Sequence, residues 1–401
     1  MSLQQTTSGE RVHIGFYGLR NAGKSSLVNA VTGQALSLVS DVKGTTTDPV
    51  KKAMELLPLG PVVIIDTPGM DDEGALGAQR VARAKQMLRQ TDIAVLVVDA
   101  LRGMTEADRE LEQLLQKQSI PYLIVYNKSD LADSPIAPTE NTLAVSAVTG
   151  DGIHELKERL GTLAKTAKQE HPLVADLVQP GDTVILVIPI DEAAPKGRLI
   201  LPQQQTIREL LEAGAITLVT RVTELAQTLA TLTEPPRLVI TDSQAFGAVS
   251  KLVPENILLT SFSILFARYK GDLKTAVEGA AVLNRLQNGD RLLISEGCTH
   301  HRQCGDIGSV KLPRWIEQFT QKKPRYQFTS GGEFPENLQD TALVIHCGGC
   351  MLNEAEMKSR IRICKEQGVP ITNYGIAIAA LHGILQRSLG PFPEIAAILK
   401  S

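Results

Sequence analysis

The sequence predicts an α/β protein of three domains with mainly parallel sheets. Apolar, strand-like runs alternate with amphipathic helical patterns along most of the 401 residues, which is typical of parallel sheets covered by helices. A polar stretch that contains Pro172 and the pair Pro180-Gly181 interrupts this alternation. All five cysteines follow residue 297, so the last third of the chain carries different chemistry. We therefore expect domains at 8–168, 180–268 and 269–401.

Short apolar runs mark the expected strands of all three domains. In the first domain they are Val12–Tyr17, Val62–Ile65, Ile93–Val98 and Tyr122–Tyr126, with a helix over Glu106–Gln118. In the second, the strands are Thr183–Ile188, Ile216–Thr220, Arg237–Thr241 and Ile257–Leu259, and the helices are Thr206–Ala213, Thr223–Leu232 and Ala245–Leu252. In the third, the strands are Arg291–Ser295, Ala342–Ile345 and Pro370–Thr372, and the helices are Lys274–Gln287, Asn353–Gln367 and Ile376–Gln386.

Composition narrows the class of protein. Lys and Arg number 41 and Asp and Glu 44, a net charge of -3, which argues against nucleic acid as the main partner. The longest apolar runs are far shorter than the ~20 residues of a membrane-spanning helix. The polar segment Met1–Arg11 lacks the apolar core of a signal peptide. Five cysteines are too few for a disulfide framework, so we expect a cytoplasmic chain with reduced thiols and no membrane partner.

A phosphate-binding loop follows the first predicted strand. Gly18-Leu-Arg-Asn-Ala-Gly23-Lys24-Ser25 has the glycine, lysine and serine spacing of such a loop and precedes a helical stretch. The glycines let backbone N–H groups surround phosphate oxygens, Lys24 reaches the β and γ phosphates, and Ser25 offers its hydroxyl to Mg²⁺. The residues expected to bind the nucleotide here are Gly18, Asn21, Ala22, Gly23, Lys24, Ser25 and Ser26.

Three further loops complete the pattern of a guanine-nucleotide site. Asp66-Thr-Pro-Gly69 follows a strand, and its carboxylate can hold Mg²⁺ while its glycine N–H faces the γ-phosphate. Asn127-Lys128-Ser-Asp130 follows another, and Asp130 can accept two hydrogen bonds from guanine N1 and N2, which adenine does not offer. A backbone N–H of Ser146-Ala147 is expected to meet guanine O6.

In these motifs the first domain resembles the TrmE/Era-like branch of the translation-factor-related GTPases. The resemblance implies that Asn21 binds K⁺, which can replace an arginine finger, and that Thr46 of Gly44-Thr-Thr-Thr-Asp48 is the Mg²⁺ ligand that senses the γ-phosphate. Met70 stands where Ras-like proteins carry a water-orienting glutamine, so we expect slow, K⁺-stimulated GTP hydrolysis. The catalytic candidates are Lys24, Thr46, Asp66 and Gly69.

Two thiol-bearing motifs follow predicted strands of the third domain. They are Cys298-Thr-His300 and His346-Cys347-Gly-Gly-Cys350. Because ligands bind at the carboxyl edge of an open parallel sheet, these motifs can meet there. Three interpretations remain: buried free cysteines, a zinc site of two cysteines with two histidines, or an iron–sulfur cluster on three thiolates. Cys304 and Cys364 are expected to take no part.

The combination of motifs resembles the [FeFe]-hydrogenase maturation GTPases, the HydF family. The cysteine-free middle segment, with Pro189–Gln203, also looks like that family. The resemblance implies a dimerisation domain followed by a cluster-binding domain, with a [4Fe–4S] cluster on Cys298, Cys347 and Cys350. His300 and His346 are candidates for the fourth ligand. It also implies a homodimeric scaffold that receives a di-iron precursor from two radical-SAM maturases and delivers it to apo-[FeFe]-hydrogenase.

Two other functions fit parts of the sequence. An RNA-modification or ribosome-assembly GTPase is the usual role of the TrmE/Era-like branch, but the near-neutral charge does not favour it. A zinc-stabilised interaction module switched by GTP would use the same thiol motifs.

Overall fold

The structure is a computed structural model that describes residues 8–34, 50–69, 86–132, 135–167, 172–190, 199–297 and 306–399. The predictions for Thr46, Met70, Cys298, His300 and Cys304 lie outside these residues. The chain divides into two compact units, Met1–Glu170 with Asn353–Glu356, and His171–Leu352 with Met357–Ser401. The described residues form three sheets, and the predicted α/β class with mainly parallel strands is confirmed.

The first sheet lies in the first unit and has six strands in the order β2-β3-β1-β4-β5-β6. Only β2 runs antiparallel to its neighbour. The strands are β1 (Val12–Tyr17), β2 (Val50–Leu56), β3 (Gly60–Asp66), β4 (Ile93–Asp99), β5 (Tyr122–Asn127) and β6 (Thr142–Ala144). The helices are α1 (Lys24–Thr32), α2 (Glu106–Lys117) and α3 (Ile153–Ala167). The central strands read as continuous apolar runs because both of their faces are buried.

The second sheet has four parallel strands in the order β10-β9-β7-β8. The strands are β7 (Thr183–Val187), β8 (Ile216–Thr220), β9 (Leu238–Thr241) and β10 (Leu258–Ser261). The helices are α4 (Leu201–Glu212), α5 (Leu225–Thr231), α6 (Phe246–Leu252) and α7 (Phe262–Lys270). The strand predictions are confirmed to within a residue or two.

The third sheet also has four parallel strands, in the order β12-β11-β13-β14. The strands are β11 (Arg291–Ser295), β12 (Arg325–Thr329), β13 (Thr341–His346) and β14 (Ile371–Asn373). The helices are α8 (Leu273–Ala281), α9 (Leu312–Thr320), α10 (Glu354–Glu366), α11 (Tyr374–Leu381), α12 (Leu385–Ser388) and α13 (Pro393–Ile398). Short 3-10 turns lie at Ser8–Glu10, Ser129–Leu131, Ala175–Leu177, Val222–Glu224, Ser243–Ala245 and Val282–Arg285, and a π turn lies at Ile307–Lys311.

Two helix predictions in the third segment are wrong in extent. The helix predicted over Lys274–Gln287 ends at Ala281 and continues as a 3-10 turn. The helix predicted over Ile376–Gln386 is two helices, because Gly383 takes a left-handed φ of 71° between them. The helical spacing of apolar residues continues through both breaks, so the sequence pattern did not reveal where these helices end.

One hydrophobic core joins the second and third segments. Phe262 and Leu265 of α7 pack in the same cluster as Ile376 and Ala379 of α11. Arg387 of α12 donates to the carbonyl of Pro254 at 3.0 Å. Among the described residues, no helix combines the length and apolar character that crossing a bilayer requires.

We predict that Gly279 on α8 tolerates no side chain. A Cβ there would lie 2.1 Å from the carbonyl oxygen of Ile371 in β14, so Gly279→Ala forces helix and strand apart. We expect a loss of ~1–3 kcal/mol in the free energy of unfolding, measured from urea midpoints. Gly247→Ala on α6 is the matched control. No described atom lies within 4 Å of its added Cβ, and the helical propensity of alanine should stabilise it by ~0.5–1 kcal/mol. Equal midpoints for the two variants would contradict the close packing of α8 on β14.

Candidate functional site

The carboxyl edge of the first sheet gathers the predicted nucleotide loops. Parallel pairing sets Phe16 beside Asp66 and Asp99 beside Asn127. The loop that begins at Gly18 leaves the central strand between them. Residues that lie far apart in sequence therefore meet at one edge, as the motif spacing predicts.

The phosphate-binding loop depends on two glycines. Gly18 has a φ of 141°, and a Cβ there would lie 2.2 Å from the carbonyl oxygen of Val97. Gly23 has a φ of 85°, and a Cβ would lie 2.2 Å from Nδ2 of Asn127. Any side chain at either position would both strain the backbone and collide with a neighbour. Asn21 is exposed at the turn of the loop, in the left-handed region.

Lys24, Ser25 and Asp66 form the polar centre of this loop. Lys24 is 7% exposed, and its Nζ donates to the carbonyls of Gly18 at 3.0 Å and Leu19 at 2.7 Å. Ser25 Oγ donates to Asp66 Oδ2 at 2.7 Å. The second carboxylate oxygen of Asp66 is buried and accepts no hydrogen bond from the described residues. A hydroxyl and an unsatisfied carboxylate oxygen suit Mg²⁺, which prefers oxygen ligands.

Asn127 connects the phosphate side of the site to the base side. It is 2% exposed, its Nδ2 donates to the carbonyl of Ala22 at 3.1 Å, and its Oδ1 accepts from the N–H of Ala147 at 3.1 Å. The N–H of Ser146 donates to the carbonyl of Asp151 at 3.0 Å. Both amides expected near guanine O6 are thus engaged within the protein, and a base oxygen would share or replace one of these bonds.

The remaining predicted residues surround this centre. Asp130 is exposed in the turn Ser129–Leu131, where its carboxylate is open to a base.

Lys128 takes a left-handed φ of 65°, and its Nζ lies 2.6 Å from Asp99 Oδ2. Burial raises the pKa of Asp99, but hydrogen bonds from Lys128 and the N–H of Leu101 outweigh it, so the net pKa is lowered. The sequence analysis did not single out Asp99. Its position at the end of a buried strand is nevertheless the same feature that identified Asp66. Ser26 and Gly69 are half-buried beside the loop.

The second candidate site is the loop of residues 346–352, which we call the thiol loop. Its first residue, His346, ends β13 and pairs with Ser295 at the end of β11. The N–H of Cys347 donates to the carbonyl of Ser295 at 2.9 Å. The N–H of Gly297 donates to Cys347 Sγ at 3.0 Å, so the residue just before Cys298 contacts Cys347. The meeting of the two motifs stays a prediction, because Cys298-Thr-His300 lies outside the described residues.

The two cysteines of the thiol loop have the chemistry of a site for a soft metal. Cys347 and Cys350 are partly exposed and not in a disulfide. Desolvation raises the pKa of Cys347 to about 11, although the N–H groups of Gly297 and Gly349 oppose this shift. Such N–H donors directed at sulfur stabilise thiolates bound to iron or zinc. The described residues contain no complete group of metal ligands, since the thiol loop supplies only part of the predicted set.

His346 is held in the interior of the sheet edge. It is 1% exposed, its Nδ1 donates to the carbonyl of Cys347 at 2.7 Å, and its Nε2 accepts from Arg360 Nη1 at 2.9 Å. Burial and the charge of Arg360 lower its pKa to about 3, so the ring is neutral. Both ring nitrogens are occupied, and His346 would have to release Arg360 to bind a metal.

Three further polar residues near the thiol loop were missed by sequence reasoning. Arg360 of α10 is 1% exposed and also donates to the carbonyl of Gly331 at 2.7 Å. Glu296 is buried beyond β11 and accepts from the hydroxyl of Tyr374 at 3.1 Å. In the sequence these residues stand singly within ordinary helical or strand patterns, so nothing there indicated that they lie near the thiol loop. Cys364 is buried in an apolar cluster with Leu293, Val344 and Ile371.

The first part of the chain is similar to known GTPases. Residues 13–128 match the family described as 50S ribosome-binding GTPase. The tRNA modification GTPase MnmE of Nitrosomonas europaea is 36% identical over 163 residues, 39% of this chain and 35% of that protein. GTPase Der of Kosmotoga olearia is 33% identical over 175 residues, 39% of each protein. The chain thus spans little more than a third of the length of these curated relatives. An Era structure from Aquifex aeolicus with GDP.AlF4- covers 52% of this chain and 93% of its own at 22% identity and a TM-score of 0.34.

The rest of the chain matches a different family. Residues 173–271 match the hydrogen maturase F dimerization domain, and residues 274–391 match the hydrogen maturase F tetramerization domain. These two adjoining matches behind a P-loop GTPase domain show that the chain is a GTP-hydrolysing, self-associating member of the hydrogen maturase F (HydF) family.

Proposed function

We propose that this protein is a cytoplasmic scaffold in the maturation of [FeFe]-hydrogenase. It would bind a [4Fe–4S] cluster on Cys298, Cys347 and Cys350, and carry a di-iron precursor as cargo from two radical-SAM maturases to apo-[FeFe]-hydrogenase. The observation that carries the proposal is the thiol loop at the sheet edge in a chain whose two other segments are a GTPase domain and a hydrogen maturase F dimerization domain.

In the GTPase domain we assign roles from the contacts of the described residues. Lys24 would leave the carbonyls of Gly18 and Leu19 to bind the β and γ phosphates. Ser25 and Asp66 would hold Mg²⁺, directly and through water, because one oxygen of Asp66 accepts no hydrogen bond within the described part of the chain. Asn21 would bind K⁺ and Asp130 the guanine ring. Thr46 and the N–H of Gly69 would sense the γ-phosphate. Hydrolysis then regulates the partners of the scaffold.

In the last domain the thiol loop supplies two of three proposed cluster ligands. The N–H groups of Gly297 and Gly349 already point at Cys347 Sγ, as they would at a metal-bound thiolate. The cluster would supply an iron with an exchangeable fourth position, the chemistry that a carrier of iron cargo needs. The contacts of His346 favour His300 over His346 as that fourth ligand.

The proposed boundaries remain 8–168 for the GTPase domain, 180–268 for the dimerisation domain and 269–401 for the cluster domain. For the homodimer, the outer strand β8 is the best candidate surface. Ile216 and Val219 on this strand are 54% and 53% exposed. The opposite outer strand, β10, is covered by α12. An open strand edge with exposed apolar side chains favours pairing with a second copy.

We predict slow turnover that is specific for GTP and faster in K⁺ than in Na⁺. Asp130→Asn replaces an acceptor with a donor, so GTP affinity should fall roughly 10- to 100-fold while xanthosine triphosphate gains. Turnover of GTP, ATP and the xanthosine nucleotide in each salt measures this. Equal rates in K⁺ and Na⁺ would exclude the role of Asn21, and equal use of ATP and GTP would exclude that of Asp130.

We predict that Cys347→Ala cannot hold the cluster, because water replaces a thiolate poorly as an iron ligand. Its matched control is Cys364→Ala, which removes a thiol from the apolar cluster and should keep iron and sulfide. Both are reconstituted anaerobically and examined by iron and sulfide analysis and by electron paramagnetic resonance after reduction. GTP turnover should survive in both. Stoichiometric zinc without sulfide in the native chain would favour the zinc-stabilised module, and full iron in Cys347→Ala would overturn the ligand assignment.

We predict that the double variant Ile216→Lys with Val219→Lys sediments as a smaller assembly than the native chain at about 50 µM, a concentration that tests micromolar affinity. The two added lysines on β8 would repel the same lysines of a second copy, which opposes pairing of the two strands. Leu57→Lys, which alters a residue 81% exposed on the GTPase domain, should leave association unchanged. A fully associated double variant would show that β8 is not the interface.

A further inference from the structure

A buried lysine holds one end of the thiol loop. Lys270 is the last residue of α7 and is 4% exposed. Its Nζ donates to the carbonyl of Leu352 at 3.1 Å and to that of Cys350 at 3.4 Å, and lies 5.8 Å from the ring centre of Phe266. The ammonium group is thus fixed on the backbone of the residue that carries the second thiol.

A buried arginine holds the other end of the same loop. Arg360 reaches His346 from α10, as described above. Between the two ends, a cavity of ≈ 30 Å³ is lined by Lys270, His346 and Cys347 among others. The loop therefore lies between two cations that are both removed from water.

Burying a charge is unfavourable unless other interactions offset the loss of hydration. Hydrogen bonds to the carbonyls of Cys350 and Leu352 offset part of this cost for Lys270. A negative charge that arrives with a ligand would offset more, since Coulomb interactions are strong at low dielectric. Metal-bound thiolates bring such a charge. The buried ammonium group of Lys270, held on the backbone of Cys350, therefore favours the anionic, metal-bound form of the thiol loop.

We propose that Lys270 is a positioning residue of the thiol loop, whose buried ammonium group fixes the carbonyls of Cys350 and Leu352 and balances the charge of an anionic metal–thiolate centre. This inference rests on the proposed cluster function and deepens it. Lys270 lies in the segment matched by the dimerization family, while the described thiols lie in the segment matched by the tetramerization family. The proposed centre would then need residues from both segments.

Four full-length variants test the proposal after anaerobic reconstitution with iron and sulfide. Lys270→Met removes the charge and the hydrogen bonds, Lys270→Gln removes the charge but keeps a donor, and Lys270→Arg keeps both. Lys274→Met, four residues on and 63% exposed, is the matched surface control. The readouts are the rate of iron loss to a chelator and the midpoint potential from a titration followed by electron paramagnetic resonance.

We expect Lys270→Met to lose iron ~10-fold faster than the native chain, because outer residues that orient ligands contribute this much to metal affinity. Both uncharged variants should have more negative midpoint potentials, since a lost positive charge disfavours the added electron. Lys270→Arg and Lys274→Met should stay near the native values. If Lys270→Met does not fold, the midpoint potential of Lys270→Gln tests the proposal.

Native-like iron loss and potential in the folded uncharged variants would overturn the role of Lys270 alone. A native chain that takes up no iron would instead overturn the proposed cluster function, and this inference with it.

Discussion

Parallel strands that end side by side govern the chemistry of this protein. In the first sheet, the pairing of Phe16 with Asp66 brings a phosphate loop beside a carboxylate. In the third sheet, the pairing of Ser295 with His346 brings Gly297 onto Cys347. A slip of one residue in either register would turn these side chains to the opposite face. The contacts that join one loop to another at these two edges depend on this alignment.

Both sites also keep a cation in the interior by binding it to backbone carbonyls. Lys24 donates to its own loop, and Lys270 donates to the thiol loop. Carbonyl oxygens carry no formal charge, so these hydrogen bonds hold the cation without neutralising it. A carboxylate partner would neutralise it in advance, as Asp99 does for Lys128. At both sites the carbonyl contacts fix the ammonium group on the loop that is proposed to bind a ligand.

Much of the architecture could be predicted from the sequence because buried parallel strands are continuous apolar runs. The runs at Val12–Tyr17 and Arg291–Ser295 match the observed strands residue for residue. The exposed outer strand β2 was missed, since its apolar residues Val50, Ala53 and Met54 have the i, i+3, i+4 spacing of a helix and not the alternation of a strand. The nucleotide loops were predictable because glycine and charge stand at fixed spacings. Lys270 and Arg360 were not, since only tertiary packing brings a helix residue onto a distant loop.

The shared core of the second and third segments has a consequence for the order in which the chain folds. The hydrophobic cluster that contains Phe262 and Leu265 is complete only when Ile376 and Ala379 are present, and the ribosome adds these residues far later. The GTPase domain can fold as it emerges, whereas the middle segment exposes an unfinished apolar surface until synthesis is nearly over. During this interval the nascent chain presents the surface that chaperones recognise, and a pause in translation between α8 and α11 would lengthen it.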